Sequence, residues 1–182
     1  LRSVPVGIVG VAFSTAAFPA MAKAVSDRSL DEFKKILKNS FWLILVGGTA
    51  AALFTFLIKE PLIRIVLGGG NFTEEAIRKT VLTLGVFTLA IPAESLVHLL
   101  ARAFYSTKNT VIPVIMSVIG FFIAIGGGYL LKPSLDILAI PAAFALASFV
   151  EVVFLLVLLP RRLKQLPTTP PPVGFNLDPH QH

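Results

Sequence analysis

Apolar residues gather into five long runs along this chain, and short polar connections separate one run from the next. Each run holds about 18 to 23 residues, and at 1.5 Å per residue a helix of that length crosses a hydrocarbon core of about 30 Å. The alternation of apolar and polar residues that a membrane β-barrel needs is missing. The pattern predicts an all-α fold, a polytopic bundle of about five transmembrane helices. The predicted spans cover residues 4–22, 41–58, 81–103, 111–131 and 137–159.

The first two connections carry helical signals of their own. In the first, apolar residues recur at helical spacing through residues 30–37, which predicts a short amphipathic interfacial helix leading into the second span. The second connection predicts a short interfacial helix and then a turn at Gly68–Gly70. Thr73 is the predicted N-cap of the next helix, which Glu74 and Glu75 open.

Composition supports a membrane environment. The chain is 55% hydrophobic and 14% charged, whereas about a quarter of the residues in a soluble globular domain are charged. There is no cysteine, which excludes disulfides and thiolate metal sites. The end of the sequence is rich in proline and too poor in apolar residues to fold. We therefore predict a transmembrane bundle over residues 1–165 and a disordered tail over residues 166–182.

Positive charge is uneven between the two sides of the predicted bundle. The side that holds the first connection, the third connection and the carboxyl terminus has ten of the 16 Lys and Arg residues. By the positive-inside rule, this bias predicts that this side faces the cytoplasm. The ten residues are Lys23, Arg28, Lys34, Lys35, Lys38, Arg102, Lys108, Arg161, Arg162 and Lys164.

Small residues recur every four positions on three of the predicted spans. Such faces let helices approach closely in lipid, where apolar burial alone gives no net drive to associate. Three separate stripes in one short chain favour a packed bundle over isolated anchors. The stripes are Ala12, Ala16, Ala20 and Ala24 on the first span, Gly120, Ala124 and Gly128 on the fourth, and Ala139, Ala143 and Ala147 on the fifth.

Ionisable residues at membrane depth are the candidates for the substrate pathway. Glu94, His98 and Arg102 are spaced i, i+4, i+8 on the third span, and Glu151 lies well inside the fifth. Because a charge in the bilayer is costly, we expect these side chains to face the bundle interior or a wet cavity. Two alternatives remain open: Glu94 and His98 line a cavity, or they make structural hydrogen bonds between helices. Glu151 either pairs with a cation on a neighbouring helix or is protonated.

The third connection, ARAFYSTKNTVIP, is a short polar hairpin between two very apolar segments. Its position at the water interface explains its polarity, and Phe104 and Tyr105 suit the headgroup zone. Asn109 or Thr110 is the predicted cap of the following helix. Pro113 falls in the first turn of that helix, where its missing N–H costs little.

Sequence signatures of catalysis are not found. The sequence has no HExxH, no G-x-S-x-G, no Walker loop and no clustered acidic metal site. We therefore expect no enzyme activity, no cofactor and no metal. The basic clusters fit anionic lipid headgroups at least as well as nucleic acid, and we expect no nucleic-acid partner.

Two of these motifs together resemble a known family. GGNFT at Gly69–Thr73, followed by ARAFYSTKNTVIPV at Ala101–Val114, is similar to the paired signature of the bacterial lipid II flippase family MurJ, also called MviN. The upstream segment VPVGIVGVAFSTAAFPAMAKAVSD resembles the family as well. Ser106, Asn109 and Ile112 depart from the usual hairpin. The hairpin positions that carry the resemblance are Arg102, Phe104, Tyr105, Lys108, Asn109, Thr110 and Pro113.

The resemblance implies a transporter of the multidrug/oligosaccharidyl-lipid/polysaccharide exporter superfamily, with fourteen helices in two lobes. This chain would supply helices eight to twelve, most of the second lobe, in the bacterial cytoplasmic membrane. The implied activity is alternating-access transport of lipid II for peptidoglycan biosynthesis, and thereby cell-wall biogenesis and cell shape. The implied partners are the lipid-linked precursor, membrane lipids and the missing amino-terminal lobe. The family's cavity arginines fall outside this chain.

Other functions remain as alternatives. A related exporter would keep the fold and carry another lipid-linked oligosaccharide or drugs. A non-transporting membrane scaffold would keep the helices and lose the cargo.

Overall fold

The computed structural model of the protein describes residue 4 and residues 6–67 and 73–165. All the regular structure in that part of the chain is helical. The predicted tail and the glycine turn, including Asn71 and Phe72 of the GGNFT motif, lie outside the described residues. The helices are α1 (Val6–Ser26, its first turns Val6–Ala12 π-helical), α2 (Leu30–Leu67), α3 (Glu74–Thr88), α4 (Ala90–Ser106), α5 (Val111–Leu135) and α6 (Ala139–Leu163).

Three helical stretches are long and apolar enough to cross a membrane, Val6–Ser26, Leu30–Val66 and Val111–Leu163. The bent pair of α3 and α4 would make a fourth if counted as one span. The stretch Val111–Leu163 has 53 residues and contains α5 and α6, which pack against each other as two antiparallel helices. Each of these two is long enough to cross the bilayer, so counting them separately and the bent pair as one span gives the number of passes expected.

Helix α2 is a single rod of 38 residues, roughly 57 Å long at 1.5 Å per residue. It joins the amphipathic stretch at residues 30–37 to the second span without a break. The short interfacial helix predicted before the glycine turn is likewise the end of α2, which continues through Pro61. A rod of this length exceeds the hydrocarbon core, so its polar ends extend beyond the core.

The third span is broken at Leu89, where α3 and α4 meet at an angle of 42°. Pro92 explains the break, because its ring and missing N–H disrupt the hydrogen bond to the carbonyl of Thr88, four residues earlier. Pro113 and Pro141 lie in the first turns of α5 and α6, where proline is tolerated.

Helices α5 and α6 form a closely packed hairpin. A Cβ atom placed on Gly127 would lie 3.1 Å from the Cβ of Ala143, so the two backbones approach as closely as small residues allow. The chain reverses between them at Asp136, whose φ of 47° is left-handed. Of the predicted stripes, Gly120 and Gly128 face α6, and Ala139, Ala143 and Ala147 of α6 are buried, so the predicted packing of these two spans is confirmed at those positions.

Of the small-residue stripe predicted on the first span, only Ala24 is packed in the described part of the protein. Ala12, Ala16 and Ala20 are exposed on the described part of the protein, because the neighbours of α1 pack on its other face. That face carries Gly10, and a Cβ placed there would lie 2.7 Å from the Cα of Ser95 on α4. Ser14, Met21 and Ala24 continue the buried face.

The connections lie together at the two ends of the bundle in the grouping that the charge count assumed. At one end, Arg162 near the end of α6 donates through Nη2 to the carbonyl of Thr107 in the third connection, at 3.2 Å. At the opposite end, Arg64 of α2 donates to Glu74 of α3 at 3.1 Å. We call the end that holds residues 27–29, 107–110 and 164–165 the basic end. The grouping of the connections is confirmed, and which end faces the cytoplasm stays a prediction.

Candidate functional site

A polar cavity of about 330 Å³ lies between α4, α5 and α6. Three of the four predicted pathway residues line it: Glu94 and His98 from α4, and Glu151 from α6. Glu151 is the central residue of α6, so the cavity lies near the middle of that helix. Helical periodicity places Glu94 and His98 on one face of α4, and the packing of α6 brings Glu151 opposite them.

Glu151 is held by α5. The hydroxyl of Ser117 donates to its Oε1 at 2.8 Å. A Cβ atom on Gly120 would lie 3.1 Å from Oε2, so glycine makes the room that the carboxylate occupies. Two alternatives were predicted for Glu151, a cation partner and protonation. The contact with Ser117 does not decide between them, because its donor is a neutral hydroxyl.

Electrostatic effects link the residues of the cavity to one another and to Arg102. The charge of Glu94 acts on Glu151 across the cavity, and the charge of Arg102 acts on His98 along α4. All of these groups are partly buried. A half-buried cluster that holds two carboxyl groups and an imidazole can exchange protons and hydrogen bonds with a polar molecule.

Arg102 lies apart from this cavity. Its Nη2 donates to Oγ1 of Thr15 on α1 at 2.7 Å, and Thr15 in turn donates to the carbonyl of Val11 at 2.6 Å. Each step of four residues turns the side-chain direction by about 40°, so eight residues turn it by about 80°. This rotation carries Arg102 from the face of Glu94 to the neighbouring helix α1.

The hairpin at 107–110 is a Schellman turn. The N–H of Asn109 donates to the carbonyl of Phe104 at 3.1 Å, and the N–H of Lys108 donates to that of Tyr105 at 2.9 Å. Lys108 has a left-handed φ of 58°, a position that usually holds glycine. The turn after α1 repeats the arrangement, with Arg28 at a φ of 56°.

The hairpin residues divide between structural and exposed positions. The Oδ1 of Asn109 accepts from the N–H of Ile112 at 3.2 Å, so Asn109 supplies the capping bond, while Thr110 occupies the N-cap position without such a bond. Phe104 is fully buried in the apolar core, unlike the predicted headgroup position, because it lies on the inward face of α4. Tyr105 is exposed, and Pro113 is buried in the first turn of α5.

The second motif is described only at its end. The Oγ1 of Thr73 accepts from the N–H of Ala76 at 3.3 Å, which confirms Thr73 as the N-cap of α3. Glu74 and Glu75 occupy the first turn, as predicted. Glu75 pairs with Lys79 at 2.8 Å on the surface.

Sequence reasoning missed the hydroxyl residues of the site. Ser117 and Ser148 line the cavity beside Glu151, and Thr15 binds Arg102. Serine and threonine are common in membrane helices, so none of the three stands out by itself. The only usable signal is that Ser117 precedes Gly120 by one turn on the small-residue face. Among the residues that the structure describes, no group of three His, Asp or Glu side chains could hold a metal ion.

The sequence matches a known family over almost its whole length. The family model described as "Lipid II flippase MurJ" matches residues 1–173. The probable lipid II flippase MurJ of Rhizobium meliloti (strain 1021) is 28% identical over 157 residues, covering 85% of this chain and 29% of that protein. The corresponding protein of Rickettsia prowazekii (strain Madrid E) is 26% identical over 145 residues, 80% of this chain and 29% of that protein.

A solved structure shares the fold. "Lipid II flippase MurJ, inward closed conformation" superposes with a TM-score of 0.75 at 21% sequence identity. The match covers 90% of this chain and 35% of that chain. The chain thus spans about 30% of the length of the curated relatives named above.

Proposed function

Because the chain belongs to the lipid II flippase MurJ family, we propose that it forms most of the second lobe of a transporter that moves lipid II across the membrane. The chain is a multi-pass protein of the bacterial inner membrane, as its family is. The observation that carries the proposal is the family match over residues 1–173, on a helical bundle of the same fold.

Transport in this proposal follows alternating access. Two lobes rock about a central cavity, which takes up the lipid-linked precursor at the inner leaflet and releases it on the outer side. This chain supplies most of one lobe and needs the amino-terminal lobe as its partner. The process requires binding and conformational change and no covalent step, so we propose a transporter without enzyme activity.

Within the lobe, the polar cavity is the proposed part of the substrate pathway. Glu94, His98 and Glu151 are costly to keep inside a membrane bundle unless they serve a site. Among the residues that the structure describes, two carboxyl groups and no Lys or Arg line this cavity, so in this proposal it takes the uncharged or cationic groups of the precursor and not the pyrophosphate. Arg102 has a charge that pairs with pyrophosphate and lies on the α1 side.

The test uses the complete transporter in a bacterium depleted of its own flippase. The wild-type protein is expected to restore growth, and the 182-residue chain alone is not, because it spans only part of the relatives. Failure of the complete wild-type protein to restore growth, at normal membrane levels, would contradict the flippase function.

The same strain tests the cavity. Glu94→Ala and His98→Ala are expected to remove most of the plating efficiency, whereas Glu32→Ala, an exposed residue at the basic end, leaves it intact. Normal growth of both cavity variants at normal expression would show that Glu94 and His98 are structural.

One observation favours a second class of cargo. The cavity is acidic, and acidic lining suits an exporter of cationic drugs of the same superfamily. Ethidium efflux from the same cells measures this directly. Efflux that depends on Glu94 and Glu151, without rescue of growth, would favour the drug exporter over the flippase.

A further inference from the structure

An apolar groove with a basic rim opens at the basic end of the bundle, on a different face from the polar cavity. It lies between the first turns of α2 and the last turns of α6 and has a volume of about 530 Å³. Its rim carries three lysines, Lys34 and Lys38 from α2 and Lys164 after α6. Its floor is formed by Leu30, Leu37, Phe41, Leu156, Leu159, Pro160 and Leu163.

The groove lies at the depth where a membrane changes from headgroups to acyl chains. Phe41 begins the apolar run of α2, and Leu159 ends the apolar run of α6. The lysines lie beyond these two residues, toward the basic end. Phe41, Leu156 and Leu159 are therefore level with acyl chains, whereas the lysines and the outer floor residues lie at headgroup level.

The rim keeps a net positive charge. Lys34 lies 3.5 Å from Asp31, but both side chains are largely exposed, and such a pair is weak. Lys38 and Lys164 are exposed and make no ion pair with any of the residues that the structure describes. The three lysine ammonium groups at the rim are thus opposed by one carboxylate, which is only weakly paired.

We propose that this groove binds an anionic phospholipid of the leaflet at the basic end. The phosphate and its glycerol lie among the three lysines, and the acyl chains lie on the leucine and phenylalanine floor. Basic pockets between membrane helices bind anionic headgroups in this way. The site is separate from the acidic cavity and does not depend on the transport function proposed above.

The single tryptophan of the chain provides a probe. Trp42 follows Phe41 directly and is 56% exposed. The purified chain is reconstituted with mixtures of plain and brominated lipids, either phosphatidylglycerol or phosphatidylcholine, and the quenching of Trp42 is measured. We expect brominated phosphatidylglycerol to bind more tightly, by about fivefold for each lysine that contacts the phosphate.

Matched variants separate the groove from general surface charge. The triple variant Lys34→Gln, Lys38→Gln, Lys164→Gln is expected to lose the preference for phosphatidylglycerol. The control Lys23→Gln, Lys35→Gln, Lys108→Gln removes the same charge from exposed positions at the same end, outside the groove. The control is expected to keep the preference for phosphatidylglycerol. The triple variant Lys34→Arg, Lys38→Arg, Lys164→Arg retains the charge and is expected to keep the preference as well.

Two results would overturn the proposal. One is equal quenching of the wild-type protein by the two lipids. The other is an equal loss of preference in the groove triple and the control triple, which would show a diffuse surface effect. Unchanged quenching by brominated phosphatidylcholine verifies that each variant is folded and inserted.

Discussion

At the scale of single residues, Gly10 shows how closely this bundle is packed. Replacing Gly10 with Ala would place a Cβ 2.7 Å from the Cα of Ser95, a backbone atom that cannot rotate away. We expect the variant to lose about 1–3 kcal/mol of stability through overpacking. The measurement is thermal unfolding in detergent.

Gly7 gives the matched control for this substitution. It lies on the same π-helical turns, and a Cβ placed there would meet nothing within 4 Å. Gly7→Ala should therefore leave the unfolding temperature unchanged or raise it. Similar losses in both variants would show that helix propensity, and not the contact with Ser95, sets the effect.

Lys108 is held in a left-handed conformation that disfavours a side chain. Because its φ is 58°, replacement by Gly should remove a strain of roughly 1 kcal/mol and raise the unfolding temperature. Lys108→Ala keeps the Cβ and removes the charge, so it separates backbone strain from electrostatics. If Lys108→Gly is no more stable than Lys108→Ala, backbone strain is not significant at this turn.

At the scale of elements, the break between α3 and α4 depends on Pro92. Replacing Pro92 with Ala restores the N–H that hydrogen bonds to the carbonyl of Thr88, so the two helices should straighten. From the 42° bend and the helix lengths, we expect the distance between spin labels at residues 75 and 105 to grow by about 3 Å. The native chain has no cysteine, which makes the labelling specific.

Pro113 is the control for the break. It lies in the first turn of α5, so Pro113→Ala should leave the same label distance unchanged. A distance that also stays constant in Pro92→Ala would show that packing holds the bend. Gly48 is the contact to examine then, because a Cβ placed on it would lie 3.2 Å from the Cα of Pro92.

At the scale of the whole molecule, the charge bias predicts one orientation in the membrane. Cysteines introduced at Lys108 and Glu75, which are exposed at opposite ends, report on it when the complete protein is labelled with an impermeant maleimide. We expect Glu75→Cys to react in intact spheroplasts and Lys108→Cys to react only after permeabilisation. The reverse pattern would place the basic end outside and contradict the predicted orientation.

Much of the element-level structure follows from local sequence. The membrane-length apolar runs, the caps at Thr73 and Asn109 and the break at Pro92 all depend on residues within one or two turns of each other. Local rules are weakest where a helix continues past its apolar run. Helix α2 joins residues 30–37 to its apolar run because none of residues 38–40 is a proline or glycine, and it continues through Pro61 although that residue has no N–H to donate.

The sequence by itself determined that this protein is a bundle of membrane helices, which connections share an end, and which ionisable residues lie at membrane depth. Only the tertiary structure decided that Glu151 joins Glu94 and His98 in one cavity, that Arg102 binds Thr15, and that Phe104 is buried. The physical reason is that periodicity fixes which residues share a helix face, while lipid is as apolar as the protein core. Hydrophobicity therefore does not distinguish the inward face of a membrane helix from the outward face. The close contacts between helices determine which face is inward.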